Sequence, residues 1–303
     1  MLSILLAACG GGSTTSLDLQ QTSTPSSRLS DAHGAEPSPV VIEPTPTPTL
    51  MPSRTHFASA PKKPAPVVYL DPGHGGVDTG TQGYTSSGQV VDEKTVVLQI
   101  ALRTAALLRQ DGITVVMTRT TDADPCAIPS DLTADGTELT AEGVLNDLQC
   151  RINKANAAHA DVFLSIHMDA FQDPSIGGTE TFYDPDRPFG AENAKLAQLI
   201  QSHVLNELHQ AGYTTTDRGI TNDTQLQAES MGAMPSSYDH LVLLGPGVPG
   251  LLTPSQMPGA LCEVFFLSDP SEADAVVQPS VQNLVATGFA LAIEQFLVAN
   301  GKG

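Results

Sequence analysis

From Val67 onward, short apolar runs alternate with segments whose apolar residues recur at helical spacing. Strands that alternate with helices in this way favour a parallel sheet with helical crossovers. The sequence therefore predicts an α/β fold: a single mixed, mainly parallel sheet flanked by helices on both faces. The predicted strands are Val67–Leu70, Ile113–Thr118, Val162–Ile166, Gly178–Tyr183, Leu241–Leu244 and Ala260–Leu267, and the predicted helices are Lys94–Gln110, Ala141–His159, Ala191–Ala211 and Val281–Val298. The rest of the stretch 213–258 is predicted to be loop, because it is rich in proline and glycine.

The first ten residues, MLSILLAACG, end an apolar run with small residues and Cys9, a pattern that resembles the lipobox of bacterial lipoproteins. In such signals the peptide is removed before the cysteine, which then carries several acyl chains and anchors the protein stably. A fortuitous apolar start is the alternative, since no Lys or Arg precedes the run. We expect residues 1–9 to be a lipoprotein-type signal segment that lacks part of its start. Lipidated Cys9 would anchor the exported protein to a membrane at the cell envelope.

Residues 10–66 are rich in Ser, Thr and Pro and cannot bury a core, so they predict a disordered linker before a folded domain at 67–303. The linker holds equal numbers of acidic and basic residues, which leaves the net charge of −19 to the remainder of the chain. An acidic domain repels nucleic acid and anionic lipid, so neither is an expected ligand. No segment after the signal is expected to cross a membrane, which requires roughly 20 apolar residues.

The cysteines after the signal fall into two classes. Cys126 and Cys150 flank a polar loop, and an exported compartment permits a disulfide between them. Two free thiols are the alternative, because the sequence does not give their separation in space. Cys262 lies inside an apolar run and is expected to be a core residue.

Two histidines and a glutamate are candidates for a metal site. His74 directly follows the first strand and His167 ends the run VFLSIH, so both lie at carboxyl ends of strands, where open α/β sheets hold their sites. Glu93 precedes the first helix, which must cross back over the sheet and can bring this carboxylate beside His74. Two imidazoles and one carboxylate with an open fourth position are typical of catalytic zinc. A phosphate-binding loop is the alternative, but it would need a helix directly after the glycines.

Glu263 is a lone carboxylate in the apolar run ALCEVFFL. A buried carboxylate is costly unless a cation or hydrogen bonds compensate it. A nearby metal would supply that compensation, and a salt bridge to an arginine such as Arg218 is the structural alternative.

Four motifs in order resemble the zinc-dependent N-acetylmuramoyl-L-alanine amidases, which cleave bacterial peptidoglycan. The motifs are DPGHGG at Asp71–Gly76, Glu93-Lys94 before a helix, Arg151 with Ala155-Asn156 before Ser165-Ile166-His167, and Glu263 in an apolar strand followed by Ser268-Asp269. The resemblance implies that His74, Glu93 and His167 bind Zn²⁺ and that Glu263 is the catalytic carboxylate. One departure is Met168-Asp169, where the family more often has a small residue and Asn.

The expected function is hydrolysis of the amide bond between N-acetylmuramic acid and L-alanine. A zinc peptidase or carboxypeptidase acting on peptidoglycan stem peptides is one alternative, and a non-catalytic peptidoglycan-binding lipoprotein is another. The sequence does not identify a protein activator.

Overall fold

The computed structural model of the protein describes residues 64–225, 234–235 and 237–303. Its strands are β1 (Val67–Pro72), β2 (Gln82–Tyr84), β3 (Val90–Asp92), β4 (Thr114–Met117), β5 (Val162–Asp169), β6 (Thr179–Tyr183), β7 (Asp217–Asn222) and β8 (Gly259–Phe266). Its helices are α1 (Glu93–Gln110), α2 (Ala141–Ala157), α3 (Gly190–Gln210), α4 (Pro270–Val276) and α5 (Pro279–Ala299). Cys9 and most of the predicted linker lie outside the described residues.

Six strands form the main sheet in the order β4-β1-β5-β8-β6-β7. The first four of these strands run parallel, whereas β6 is antiparallel to β8 and parallel to β7. The carboxyl ends of β1, β5 and β8 therefore meet at one edge of the sheet, and those of β6 and β7 meet at the opposite edge. A small hairpin of β2 and β3 stands apart from this sheet.

Apolar side chains on both faces of the sheet are buried. Along β1, Val68 and Leu70 join a core with α1, α3 and α5, whereas Tyr69 joins a second core with α2. Successive strand residues point to opposite faces, so a continuous apolar run indicates a strand covered on both sides. The predicted α/β fold with a mixed, mainly parallel sheet and helices on both faces is confirmed.

The closing helix α5 is long and strongly apolar. Of the helices that the structure describes, it is the one long and apolar enough to cross a membrane, with a mean hydropathy of 1.4 over 18 residues. Most of those residues are buried in the domain, in a core that includes Val285, Phe289, Ile293 and Phe296. Its apolar composition therefore matches its position within the core.

The stretch 213–258 differs most from its prediction. Leu241–Leu244 is not a strand: it forms a turn in which the amides of Leu244 and Gly245 donate to the carbonyl of Leu241. Its side chains are nevertheless buried in the second core, so the apolar run indicates a buried segment and not an extended strand. The strand β7 lies instead at Asp217–Asn222, a half-exposed edge of the sheet without an apolar run. The hairpin β2–β3 and the short helix α4 were also missed.

The polar loop before α2 is closed by a disulfide. Cys126 and Cys150 are bonded, with their Cα atoms 6.0 Å apart. Of the two arrangements that the sequence left open, the structure has the bridge. Cys262 is a buried free thiol in β8.

A buried arginine joins α2 to the end of β1. The side chain of Arg151 donates to Asp71 Oδ1 at 2.9 Å and to Asp147 Oδ2 at 2.6 Å. It also donates to the carbonyls of Pro72 and His74, at 3.1 and 3.0 Å. Burial opposes ionisation of Asp71, but the charge of Arg151 lowers the pKa of this carboxyl below its usual range. The arginine thus ties the helix to the turn that follows β1.

Removal of this side chain should destabilise the fold strongly. In Arg151→Met, the buried carboxylates of Asp71 and Asp147 lose their counter-charge, so we expect the free energy of unfolding to fall by about 3–5 kcal/mol. Lys302→Met is the control, because Lys302 forms a 2.6 Å ion pair with Asp161 on the surface and its side chain is 45% exposed. That change should cost less than about 1 kcal/mol. Equal losses in urea unfolding would contradict the role of Arg151.

Candidate metal centre

The turn after β1 positions His74 by its backbone. His74 has a positive φ of 59°, an uncommon conformation for a residue with a side chain. Besides Arg151, Arg119 holds this turn: its Nε donates to the carbonyl of Pro72 at 3.1 Å and its Nη2 to that of Gly73 at 2.8 Å. Because two buried guanidinium groups fix consecutive carbonyls, the imidazole is presented toward the sheet edge with little freedom.

His74, Glu93 and His167 meet at this edge. Oε1 of Glu93 lies 3.1 Å from Nε2 of His74 and 3.0 Å from Nδ1 of His167, and one ligand atom from each residue fits within a span of 4.8 Å. The two rings are 5.0 Å apart and nearly perpendicular. Residues from three different elements, 19 and 74 positions apart in the sequence, thus share one small volume.

The two ring nitrogens of His74 each face a carboxylate. Nδ1 lies 2.7 Å from Oδ2 of Asp78, and a proton between these two atoms would leave the lone pair of Nε2 available to a metal. Nε2 lies 3.1 Å from Oε1 of Glu93, so in the metal-free protein a proton between them joins the two groups. Nε2 of His167 is also buried and has no hydrogen-bond partner. The imidazole nitrogens and the carboxylate oxygens of this group are ligand atoms that suit a divalent cation.

Two glycines make room for the side chains of His167 and Glu93. A Cβ atom at Gly73 would lie 2.2 Å from Cε1 of His167, and one at Gly80 would lie 2.5 Å from Oε2 of Glu93. Either contact is impossible without a shift of the ligand side chain. The glycines around His74 are therefore required by the close approach of the backbone to the ligand side chains.

The charges at the centre are strongly coupled. Burial opposes ionisation of Glu93, but the two imidazoles hold the pKa of this carboxyl far below its usual range. Burial also opposes a charge on His74, yet Glu93 and Asp78 raise the pKa of this imidazole well above its ordinary value. The backbone amides of Met168 and Thr81 donate to Glu93 at 2.9 and 2.8 Å. A carboxylate that is charged and fixed in this way is suited to hold a cation.

Glu263 lies beside this group on β8. It is paired in register with His167 on one side and with Glu180 on the other, and its Oε2 is buried without a hydrogen bond. Burial, followed by the charges of Asp169 and Glu93, raises the pKa of Glu263 well above its ordinary value. Such a carboxyl is suited to take up and release a proton.

In the part of the chain that the structure describes, Glu263 does not form the salt bridge with Arg218 that the sequence left open. Arg218 donates from Nε to Oε2 of Glu180 at 3.0 Å and packs its guanidinium over the ring of Phe266, 5.0 Å from the centroid. The arginine thus neutralises the neighbour of Glu263 and leaves Glu263 free.

Three acids around the centre were not among the predicted site residues. Asp78 orients His74, Glu180 on β6 faces Glu263 on the neighbouring β8, and Asp169 is buried at the end of β5. Asp78 lies in the glycine-rich turn, where a nearby acid for a histidine could have been sought. The position of Glu180 depends on the antiparallel pairing of β6, which no local pattern indicates.

Asp169 should make the metal-free protein less stable as the pH rises. Burial, with the charges of Glu180 and Glu93, raises its pKa from 3.8 to about 7. Because the folded protein holds this proton more tightly than the unfolded chain, the free energy of unfolding should fall as the pH rises through this range, by about 2 kcal/mol from pH 5 to 7. Urea unfolding of chelator-treated protein measures this loss.

The variant Asp169→Asn should remove that part of the pH dependence. Asp173→Asn is the matched control, since Asp173 is exposed and hydrogen bonds from Ser175 hold its pKa below the usual value, outside this window. A profile for Asp169→Asn that runs parallel to that of the wild type would contradict the assignment.

Comparison with known proteins identifies relatives over nearly the whole described domain. The sequence profile of the N-acetylmuramoyl-L-alanine amidase family matches residues 68–295. A germination-specific N-acetylmuramoyl-L-alanine amidase of Bacillus subtilis is 32% identical over 237 residues, which cover 78% of this chain and 81% of that protein. The N-acetylmuramoyl-L-alanine amidase AmiA of Salmonella typhimurium is 29% identical over 260 residues, which cover 80% of each.

Solved structures give the same result. An N-acetylmuramoyl-L-alanine amidase from Clostridium difficile 630 is 28% identical with a TM-score of 0.55, and the match covers 78% of this chain and 99% of that one. The CwlD amidase from Clostridioides difficile, solved in complex with the GerS lipoprotein, shares the fold with a TM-score of 0.57 at 22% identity, over 77% of this chain and 99% of that one. The chain belongs to the N-acetylmuramoyl-L-alanine amidase family.

Proposed function

We propose that this protein is a zinc-dependent enzyme that hydrolyses the amide bond between N-acetylmuramic acid and L-alanine in peptidoglycan. The observation that carries the proposal is the meeting of His74, Glu93 and His167 at one sheet edge with Glu263 adjacent in register. The substrate follows from the family to which the chain belongs.

In this proposal His74, Glu93 and His167 hold the zinc ion, and each has a neighbour that orients it. Asp78 fixes the His74 ring, and the amides of Thr81 and Met168 fix the Glu93 carboxylate. When bound, zinc supplies an acidified water and a positive charge for the developing oxyanion of the amide. The protein contributes three ligand side chains whose directions are set by hydrogen bonds to neighbouring groups.

Glu263 acts as the general base and then as the general acid. Its carboxylate accepts a proton from the attacking water and returns this proton to the leaving amine of L-alanine. Burial and the charges of Asp169 and Glu93 raise the pKa of this carboxyl, so it binds a proton more tightly than an exposed glutamate does. Glu180 is neutralised by Arg218 and so remains a neighbour and not a competing base.

Two other functions were left open by the sequence, and the geometry favours neither. A zinc peptidase on stem peptides would use the same centre, so the products distinguish it: an amidase releases peptides that begin with L-alanine. A binding module without catalysis would not need a buried carboxyl with an orphan oxygen beside the metal ligands.

Glu263→Gln should abolish turnover and keep the metal. The amide has nearly the same shape but cannot accept the proton, so we expect activity on purified sacculi to fall by about 10³-fold. Mass spectrometry of the released peptides measures activity and identifies the cleaved bond, and elemental analysis measures zinc. Glu142→Gln, at an exposed position of α2, should behave like the wild type. Activity of Glu263→Gln within about tenfold of wild type would contradict the role of the general base.

We also propose that residues 1–9 are a lipoprotein signal, that Cys9 carries the lipid, and that residues 10–66 tether the catalytic domain to the membrane. Support comes from the lipobox-like start, the linker composition and a family whose substrate lies in the cell envelope. Attachment by a tether would hold the enzyme near the wall while leaving the domain mobile enough to reach its substrate.

Cys9→Ser should release the protein from membranes. The full chain is produced in bacterial cells grown with a labelled fatty acid, and membranes are separated from the soluble exported fraction. Label and protein should stay together in membranes for the wild type, and the variant should be unlabelled and soluble. An unlabelled wild type would contradict lipid attachment, whatever its location.

A further inference from the structure

A second cluster of ligand-type side chains lies away from the catalytic edge. We propose that Asp184, Asp223 and His240 form a second divalent-cation site, of the kind that Zn²⁺ occupies, which fastens the ends of β6 and β7 to the turn Tyr238–Leu244. Asp184 directly follows β6, Asp223 directly follows β7, and His240 lies in the segment between β7 and β8. The proposal is independent of the amidase chemistry, because none of these residues touches the first centre.

The distances within the cluster match those between ligands of one ion. Nδ1 of His240 lies 3.0 Å from Oδ2 of Asp184 and 3.4 Å from Oδ1 of Asp223, and one ligand atom from each residue fits within a span of 4.8 Å. Ligand atoms bound tetrahedrally to one zinc ion at about 2.0–2.2 Å lie roughly 3.3–3.6 Å from each other, so the cluster is at or slightly inside that separation before an ion binds. The three side chains therefore converge as a coordination shell does.

Each carboxylate uses one oxygen for the backbone and turns the other toward the imidazole. Oδ1 of Asp184 accepts from the amide of Asp186 at 2.6 Å, and Oδ2 of Asp223 accepts from the amide of Leu241 at 3.1 Å. The backbone thereby fixes the direction of both acids before any ion binds. Pre-oriented ligands are a property of built metal sites.

One of the inward oxygens has no hydrogen bond. Oδ2 of Asp184 is buried without a hydrogen bond, although Nδ1 of His240 lies 3.0 Å away. A buried carboxylate oxygen is costly unless a hydrogen bond or a cation compensates it. A cation shared with Nδ1 of His240 and Oδ1 of Asp223 would supply that compensation.

A divalent cation would balance the charge of the cluster. Both aspartates are fully buried, and in the part of the chain that the structure describes neither forms an ion pair with a lysine or arginine. Protonation of His240 could offset one of two buried negative charges, whereas a divalent ion offsets both.

The nearest guanidinium is committed elsewhere. Arg187 donates from Nη1 to the carbonyls of Leu244 and Gly245, both at 2.9 Å, and its Nη2 donates to the carbonyl of Ser255. The exposed Asp239 adds a carboxylate oxygen 3.6 Å from Nε2 of His240 and so increases the negative charge.

The second cluster is separate from the catalytic centre because of the strand directions. Glu180 pairs with Glu263, and Phe182 pairs with Leu261, so the end of β6 is level with the start of β8. Four strand residues from Glu263 to Gly259 span roughly 13 Å. A cation here would act on the fold by joining two strand ends to a buried turn, and would not take part in amide hydrolysis.

Metal counting in the full chain tests the proposal. After dialysis against Zn²⁺ and removal of loose metal, the wild type should retain about one equivalent more than His240→Ala. His167→Ala should lose the other equivalent, and the double variant should retain almost none. The difference between wild type and His240→Ala is informative even if the first centre binds no zinc, so the two proposals fail separately.

Matched variants distinguish metal loss from unfolding. Asp223→Asn keeps the shape of the ligand and should also lose one equivalent, and Asp239→Asn, at the exposed neighbour, should keep it. Circular dichroism of each variant reports whether it is folded. Equal zinc in the wild type, His240→Ala and Asp223→Asn, all folded, would overturn the proposal and leave an ion-pair network of an imidazolium with two carboxylates.

Discussion

The geometry of the catalytic edge depends on the buried charge network of Arg151. This one side chain donates to the carboxylates of Asp71 and Asp147 and to the carbonyls of the turn that carries His74. Burial of three charged groups is costly, so the network is stable only when all of its partners are in place. That condition couples the packing of α2 against the sheet to the position of His74, a proposed metal ligand.

The reversal of direction between β8 and β6 organises the remainder of the molecule. Parallel β1, β5 and β8 bring His74, His167 and Glu263 to one edge, while β6 and β7 carry Asp184 and Asp223 to the other. The same reversal places Glu180 opposite Glu263, where Arg218 neutralises it. One antiparallel pairing thus shapes the surroundings of Glu263, the proposed general base, and creates a second set of ligand-type side chains at a distance from it.

Local patterns predicted the buried elements well and the exposed ones badly. The runs in β1, β5 and β8 are continuous and apolar because both faces of the sheet are covered, and their boundaries were found within a few residues. The edge strand β7, DRGITN, has no such run and was missed. Leu241–Leu244 was assigned to a strand because it is a short apolar run, yet its side chains are buried by a turn.

The sequence by itself determined the layered α/β fold and named the side chains that meet at the catalytic edge, because a buried strand and a histidine at its end are both visible locally. Only the tertiary structure decided which charges surround them. Asp78, Arg119 and Arg151 hold the first centre, and Asp184, Asp223 and His240 meet at the far edge. These contacts depend on strand order and direction, and such information resides in pairings between distant segments and not in any single stretch of chain.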